Sequence, residues 1–302
     1  MTNVLTEVRQ ALPRLSSAEA KVAEAVVDDP TLVVDLTITE LADVCGTSLS
    51  TVARFCQTLG FSGYREFRME VASALSREQA ERDRFGLADS DISPDDPVGD
   101  VISKIAFQEV LAIEQTAHAL DTTVLDAVVD ALAGARHVDV YGFGASGLTA
   151  QDLQQKLARI GISAACSVDV HVALVSAALR RPGDVAVAVS HTGLTAETLQ
   201  ALEVAGAAGA TTVAITNSPH SPVGRAAQYV LATQARESAY RMGAMSSRIA
   251  QLAMVDFVFV RLAQRLHDEV AAPLRRTWEV TATHRRSARG SAAHDVGSAP
   301  EH

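Results

Sequence analysis

The sequence predicts an all-α helix-turn-helix domain over residues 1–80, followed by an α/β domain over residues 105–270. The second is expected to hold a parallel sheet with helices on both faces, a three-layer sandwich. Two observations lead there. The first eighty residues carry helical periodicity only, with apolar positions at Val22, Ala25, Val26, Leu41, Ala42, Val52, Phe55 and Leu59. From about residue 137 short β-rich runs alternate with segments rich in Ala, Leu and Gln, and such alternation builds a parallel sheet between helices.

A length of 302 residues fits about two domains. Apolar residues make up 48% and charged residues 21%, a balance that allows a core in each. The formal net charge is -10, so any nucleic-acid binding must come from a local cationic face. Cys45, Cys56 and Cys166 stand apart without C-x-x-C spacing, which argues against a disulfide framework and a zinc site. Charges interrupt Met1–Leu15, and nowhere do about 18 apolar residues run together. A soluble, cytoplasmic protein is expected, with no cofactor and no metal.

The most informative part of the helical half runs from Thr37 to Gly60. Thr37 and Glu40 fit a capping box at a helix start. Ala42 is small where two crossing helices approach, and Gly46, four residues on, suits a turn with left-handed backbone. Ser48 is a good N-cap for a second helix, along which Val52 and Phe55 face inward. Ser50, Thr51 and Arg54 are expected to point outward. A recognition helix lays its first residues in the major groove, where short polar side chains and an arginine suit base edges. Arg65 and Arg68 follow, placed to clamp phosphates. Between Gly46 and Met69 the charges are these three arginines and Glu66, a locally cationic stretch. The candidate DNA-facing set is Thr37, Ser48, Ser50, Thr51, Arg54, Arg65 and Arg68. The same spacing also suits a helical hairpin used for packing.

The run Ala53-Arg-Phe-Cys-Gln-Thr-Leu-Gly-Phe-Ser-Gly-Tyr-Arg-Glu-Phe67 resembles the RpiR/MurR family of bacterial regulators over about 30 residues. In that family an arginine-phenylalanine pair and a following leucine-glycine-phenylalanine close the helix-turn-helix. The resemblance implies double-stranded operator DNA as a partner, and makes Cys45 and Cys56 core fillers.

Residues 81–104 read as a linker, with Asp89, Asp91, Pro94, Asp95, Asp96 and Pro97 among them. Helix resumes at Val98, where Val98, Val101, Ile102 and Ile105 form an apolar stripe. Strands are predicted at His137–Tyr141, Ala164–Val168, Asp184–Val189, Thr211–Thr216 and Tyr229–Ala232. A long helix at 249–266 follows. Leu252, Val255, Phe259, Leu262 and Leu266 form one face, and Ala253, Phe257 and Val260 widen it nearly all round. Such a helix is expected to be buried, in part between subunits. Residues 271–302 read as a partly disordered tail.

Two glycine and hydroxyl loops follow strands. Tyr141-Gly-Phe-Gly-Ala-Ser-Gly147 satisfies G-x-G-x-x-G, the dinucleotide fingerprint. The acid that would hold a ribose, Asp169, comes about 27 residues on, where the fingerprint wants about 20. Ser190-His-Thr-Gly-Leu-Thr195 is the second loop. Its hydroxyls, flexible Gly193 and following helix start make an anion cradle, which a nicotinamide site does not need after its third strand. Ser146 is expected beside it at the C-terminal edge of the sheet.

This pair of loops resembles the sugar isomerase (SIS) domain over roughly residues 105–270. The family motif S-x-S-G-x-T stands here as Ser190-His-Thr-Gly-Leu-Thr195, with Thr192 for the second serine. The resemblance implies a phosphorylated sugar effector held by Gly144, Ala145, Ser146, Ser190, His191, Thr192, Gly193 and Thr195. Glu237 matches an acidic position at the family's site entrance, or is a helix-start acid. His171 is a further candidate. A homodimer or homotetramer is expected. A phosphosugar isomerase is the alternative, but an isomerase gains nothing from a helix-turn-helix.

Overall fold

The computed structural model describes residues 4–87, 89, 91–237 and 243–282. The part of the expected tail from residue 283 onward lies outside them.

The helical half comprises α1 (Val4–Ala11), a single 3-10 turn (Leu12–Arg14), α2 (Ser17–Asp28), α3 (Thr31–Asp35), α4 (Ile38–Val44), α5 (Leu49–Thr58) and α6 (Tyr64–Arg84). Val8, Val22, Val26, Val33, Leu41, Val52, Phe55, Phe67 and Val71 form its core and are fully buried. Phe55 meets Phe67 edge-on at 5.5 Å, an arrangement aromatic quadrupoles favour. The Tyr64 hydroxyl donates to the carbonyls of Val33 and Leu36, both at 3.0 Å, and straps α6 to the approach of α4.

After α6 an acidic segment leads to α7 (Val98–Ala119). The expected apolar stripe of this helix does not face the core: Val98 is 77% and Ile102 63% exposed. The buried positions are Lys104, Phe107, Ala112 and Thr116. The shift has a local cause. Lys104 lies within the stretch expected to be a linker. Its ammonium is bonded to Asp89 at 2.8 Å, Asp96 at 2.9 Å and the Asp91 carbonyl at 2.6 Å. Those bonds fold the acidic segment against the first turns, and the inward face of α7 therefore runs through Lys104. Only Phe107 and later positions reach the interior, beginning with Phe107 against Phe85.

The α/β half continues with α8 (Thr122–Ala133), β1 (His137–Gly142), α9 (Ala145–Arg159), β2 (Ala164–Ser167), α10 (Val170–Ala178), β3 (Asp184–Val189) and α11 (Ala196–Ala207). Then come β4 (Thr211–Thr216), α12 (Pro222–Ala226), β5 (Tyr229–Ala232), α13 (Ser246–Leu266) and α14 (Asp268–Ala282). Among the described residues five strands form a parallel sheet, in the order β2-β1-β3-β4-β5. β3 is buried along its whole length, as a strand covered on both faces must be. Leu125, Leu132, Leu153, Leu157, Met254, Val255 and Val258 of α8, α9 and α13 cover one face. Ala173, Ala177, Ala201, Leu202 and Val223 of α10, α11 and α12 cover the other.

α13 begins earlier than the sequence suggested and presents a rotated face. Ala250, Gln251, Met254, Val255, Val258 and Leu262 are buried, while Leu252 and Phe259 are half-buried and Val260 is 56% exposed. Its apolar excess lies beside α7 and α8, where Phe257 and Val260 line a groove with Ala117, Leu120 and Leu125. Residues 271–282, assigned to the tail, are helical in α14.

The order puts β2 on one side of β1 and β3 on the other. The crevice between β1 and β3 at their C-terminal ends is therefore the place where open parallel sheets bind ligands.

Candidate functional site

In the helical half, α4 and α5 form the bihelical unit. Thr37 and Glu40 make both bonds of the capping box: Glu40 N donates to Thr37 Oγ1 at 3.3 Å, and Thr37 N to Glu40 Oε2 at 2.8 Å. The Thr37 N–H and, next, the Thr37 hydroxyl at 2.7 Å, both donating to Glu40 Oε2, hold the Glu40 carboxyl below its ordinary range. Gly46 has φ 58°, the left-handed turn the spacing required. Ala42, 2% exposed, lies in the core that α5 packs against.

Ser48 caps α5 by accepting from Thr51 N at 3.2 Å. Thr37, Ser48, Ser50 and Arg54 are exposed, and Arg65 and Arg68 stand exposed on α6. Thr51 departs from expectation. It is 7% exposed, its hydroxyl 2.9 Å from Ser48 Oγ. The reason is helical geometry: Thr51 shares the inward face with Val52 and Phe55, one turn before Phe55. Leu49, 50% exposed, joins the outer surface instead. Cys56 is fully buried, and desolvation pushes its thiol up to about 12, the behaviour of a core filler. Burial also raises Cys45. Among the described residues no group of His, Cys, Asp and Glu could hold a metal ion.

In the α/β half, Gly142 at the end of β1 pairs in register with Val189 at the end of β3. The two loops therefore leave the same sheet edge side by side. In the first, Gly142 and Gly147 allow close approach of backbone: a Cβ on Gly142 would sit 2.6 Å from the Ser146 carbonyl. Gly144 (φ 58°) opens α9, with half-buried Ala145 and Ser146 in its first turn. Ser146 Oγ accepts from Gln251 Nε2 at 3.4 Å, and Gln251 in turn accepts from Thr149.

In the second loop, Ser190 is 2% exposed and its Oγ accepts from Gly193 N at 3.1 Å. The Ser190 and Thr195 hydroxyls are 3.2 Å apart. Thr192 is exposed and accepts from Leu194 N. Gly193 has φ 65°, and a Cβ there would run into Ser221 Oγ, so only glycine fits. The His191 carbonyl is fixed by Asn217 N at 3.0 Å and Thr216 Oγ1 at 3.2 Å, which locks the loop to the end of β4.

The helix starts are the informative contrast. Asp169 caps α10 through Val172 N, and Ser221 caps α12 through Gly224 N. α9 and α11 have no side-chain cap. Thr195 is the N-cap of α11, yet its hydroxyl faces Ser190 rather than its own helix. Two helix N-termini, each with partial positive charge and first N–H groups that meet no side-chain acceptor among the described residues, thus open at neighbouring strand ends. Asp169, the acid a dinucleotide site would need for ribose, is committed to a cap.

Glu237 takes the role of a helix-start acid: it accepts from Ser247 N at 2.8 Å and Met245 N at 3.4 Å, closing the start of α13. His171 lies exposed on α10. Gln251 was missed in the sequence, although a glutamine among apolar neighbours on a long helix marks it. Asn217 and Ser221 act through backbone bonds and close packing, for which one sequence carries no signal.

A helix-turn-helix unit joined to a parallel sheet with two uncapped helix starts at its switch point defines a two-part protein, one half of DNA-binding architecture and one of ligand-binding architecture. The model of the SIS domain matches residues 131–261, and that of the rpiR-family helix-turn-helix domain matches residues 2–78. An uncharacterized HTH-type transcriptional regulator of Caldanaerobacter subterraneus subsp. tengcongensis is 37% identical over 280 residues, covering 93% of this chain and 97% of that protein. One of Haemophilus influenzae is 33% identical, covering 92% and 96%. The solved structure of the Vibrio vulnificus NanR protein complexed with ManNAc-6P is 28% identical with a TM-score of 0.61, covering 94% of this chain and all of that one. The sugar isomerase domain of an RpiR transcription factor from Sphaerobacter thermophilus is 26% identical, with a TM-score of 0.55 over 59% of this chain and 98% of that one. The chain belongs to the RpiR family of helix-turn-helix transcriptional regulators that carry a SIS domain. Among the described residues no helix is long and apolar enough to cross a membrane.

Proposed function

We propose that this regulator binds operator DNA through α5 and α6, and that a phosphorylated sugar on the SIS domain controls its DNA affinity. One observation carries the second half: the uncapped starts of α9 and α11, with the Ser190 and Thr195 hydroxyls between strand ends that are paired in register. A doubly charged phosphate supplies the acceptors that these N–H groups lack. Gly144, Ala145 and Ser146 line one side, and Ser190, His191, Thr192, Gly193 and Thr195 the other. The structural likeness to NanR complexed with ManNAc-6P supports a phosphosugar as the ligand class.

Ser48, Ser50 and Arg54 present the base-reading surface, with Thr37 at its edge and Arg65 and Arg68 on the phosphates. Two-fold pairing of SIS domains would present two such surfaces to a roughly palindromic operator. The protein acts in the cytoplasm and catalyses no reaction. The carboxylate that the sequence offered for proton transfer, Glu237, is occupied by two backbone N–H groups at the start of α13.

Ligand control is a coupling free energy, so operator DNA must change sugar-phosphate affinity by the same factor that the sugar phosphate changes DNA affinity. Calorimetric titration of sugar phosphates with and without operator tests this. A matching factor in both directions is expected. Independent binding at the two sites overturns the regulation, and turnover of a sugar phosphate without DNA affinity overturns the choice of regulator over isomerase.

A further inference from the structure

The helical half does not hang free of the sheet. Arg14 lies 3.3 Å from His220 in the segment after β4, and Arg236, after β5, reaches Glu78 of α6 at 3.9 Å. Between these contacts is a cavity of about 390 Å³. Thr6 and Arg9 of α1 form one wall, and Asn217, Ser218 and Arg236 beyond β4 and β5 form the other. We propose that this cavity is a second anion subsite, in which Arg9 of the helical half and Arg236 of the SIS half together grip a carboxylate or phosphate.

Three observations converge on that reading. Arg9 is half-buried, and among the described residues no carboxylate stands within ion-pair distance of it. A second guanidinium faces the same space, and the long ion pair to Glu78 is the compensation for both. Glu237 also lines the cavity, but its carboxylate is held by the start of α13. Burial and then the like charge of Arg236 push Arg9 down to about 10, so it remains cationic at neutral pH and gains from an incoming anion. Thr6, Asn217 and Ser218 add polar groups around the slot, and a pair of forked guanidinium donors matches the planar geometry of such oxyanions.

The cavity adjoins the phosphate loop, because Asn217 donates its backbone N–H to the His191 carbonyl. An anion in the slot would bind across the two halves and draw α1 toward the sheet edge. The subsite stands on its own geometry. It rests on the proposed sugar-phosphate site only for the claim that the anion is part of the same effector.

The test follows thermal unfolding of the full chain against inorganic phosphate at constant ionic strength. Ser190→Ala disables the loop site. In that background a tenfold excess of phosphate over its dissociation constant is expected to raise the midpoint by about 3–6 °C. Adding Arg9→Ala should abolish the rise. Arg236→Gln should do so from the other wall, which covers a folding defect in either variant. Stabilisation by excluded phosphate is common to every variant and cancels in the comparison. No rise in Ser190→Ala, or a rise that survives both arginine substitutions, overturns the subsite. A phosphate response untouched by Ser190→Ala but lost with Arg9→Ala sustains the subsite and sinks the loop reading instead. Glucose 6-phosphate and fructose 1,6-bisphosphate then separate the sources of the anion. A tenfold preference for the bisphosphate that needs both Ser190 and Arg9 assigns the slot to one spanning effector. Phosphate binding with no such preference assigns it to a separate anion.

Discussion

The hydroxyl of Ser190 lies 3.2 Å from that of Thr195, across the loop that joins β3 to α11. The pair spans a turn where a threonine at an N-cap position turns its oxygen away from its own helix. A cap turned that way leaves the first N–H groups of α11 without a bond from Thr195, and the proposed phosphate would supply the acceptor.

Ser190→Ala is expected to weaken sugar-phosphate binding about 10- to 100-fold, the range for losing a hydrogen bond to a charged group. Thr195→Val, which keeps shape and removes the oxygen, should weaken it by a similar factor. Operator affinity without ligand should not change in either. Calorimetry for the sugar phosphate and mobility shift for DNA read the two quantities separately. An unchanged sugar-phosphate affinity in both variants would remove the loop from the site.

Gly193→Ala should be among the most damaging single changes in this half. The added methyl collides with Ser221 Oγ, and the backbone at φ 65° disfavours any side chain. A loss of about 1–3 kcal/mol in stability is expected, together with loss of ligand binding. Ser221→Gly should restore part of the stability by removing the collision, while the backbone strain persists. Urea unfolding of the single and double variants measures both contributions.

Arg54 is exposed on α5 with Ser50 beside it on the outer surface. Arg54→Ala should weaken operator binding by about 1–3 kcal/mol and relax preference at one base position. Arg65→Ala and Arg68→Ala should weaken specific and non-specific DNA alike, each lowering the salt slope by about one phosphate contact. Sugar-phosphate affinity should hold in all three. Thr51→Ala, in contrast, should act on stability, since that side chain is buried. Binding isotherms at several salt concentrations distinguish these patterns.

Thr37→Ala should destabilise the helical half by about 1 kcal/mol through loss of the capping box. The same motifs contribute to its acid sensitivity, as does the Ser62 hydroxyl bonded to Glu66. Glu40 and Glu19 have carboxyls held below their ordinary 4.5, Glu40 by the Thr37 N–H first and Glu19 by the Ser16 hydroxyl first. A carboxyl depressed by folding adds stability that is complete above its unfolded value and is lost as pH falls through its lower folded value. Melting midpoints should therefore drop as pH decreases from 4.5 toward lower values. Glu19→Gln with Glu40→Gln should flatten that dependence. An equally steep drop in the double variant would place the acid sensitivity elsewhere.

Much of the architecture was legible because its signals are local. Each of the five strands falls within one residue of the run that predicted it, since a β-branched run bounded by breakers needs no partner to be recognised. The capping box at Thr37, the left-handed turn at Gly46 and the N-cap at Ser48 depend on neighbours three or four residues away, and the sequence states them directly. Faces of long helices were less legible. On α13 nearly every position is apolar, so periodicity could not choose among faces, and burial selected Gln251, Met254 and Val258 instead of Leu252 and Phe259.

By itself, then, the sequence determined each described strand to within a residue, the caps of α4 and α5 with the turn between them, and which two loops carry hydroxyls and glycines at strand ends. Only the tertiary structure decided that Gly142 and Val189 end side by side, that Thr51 turns inward, and that Glu237 spends its charge on α13. It alone brought Arg9 to face Arg236 across 227 positions of chain. The reason is range. Backbone bonding and caps act over one turn, whereas strand order and helix packing join residues whose separation in sequence carries no trace of their distance in space.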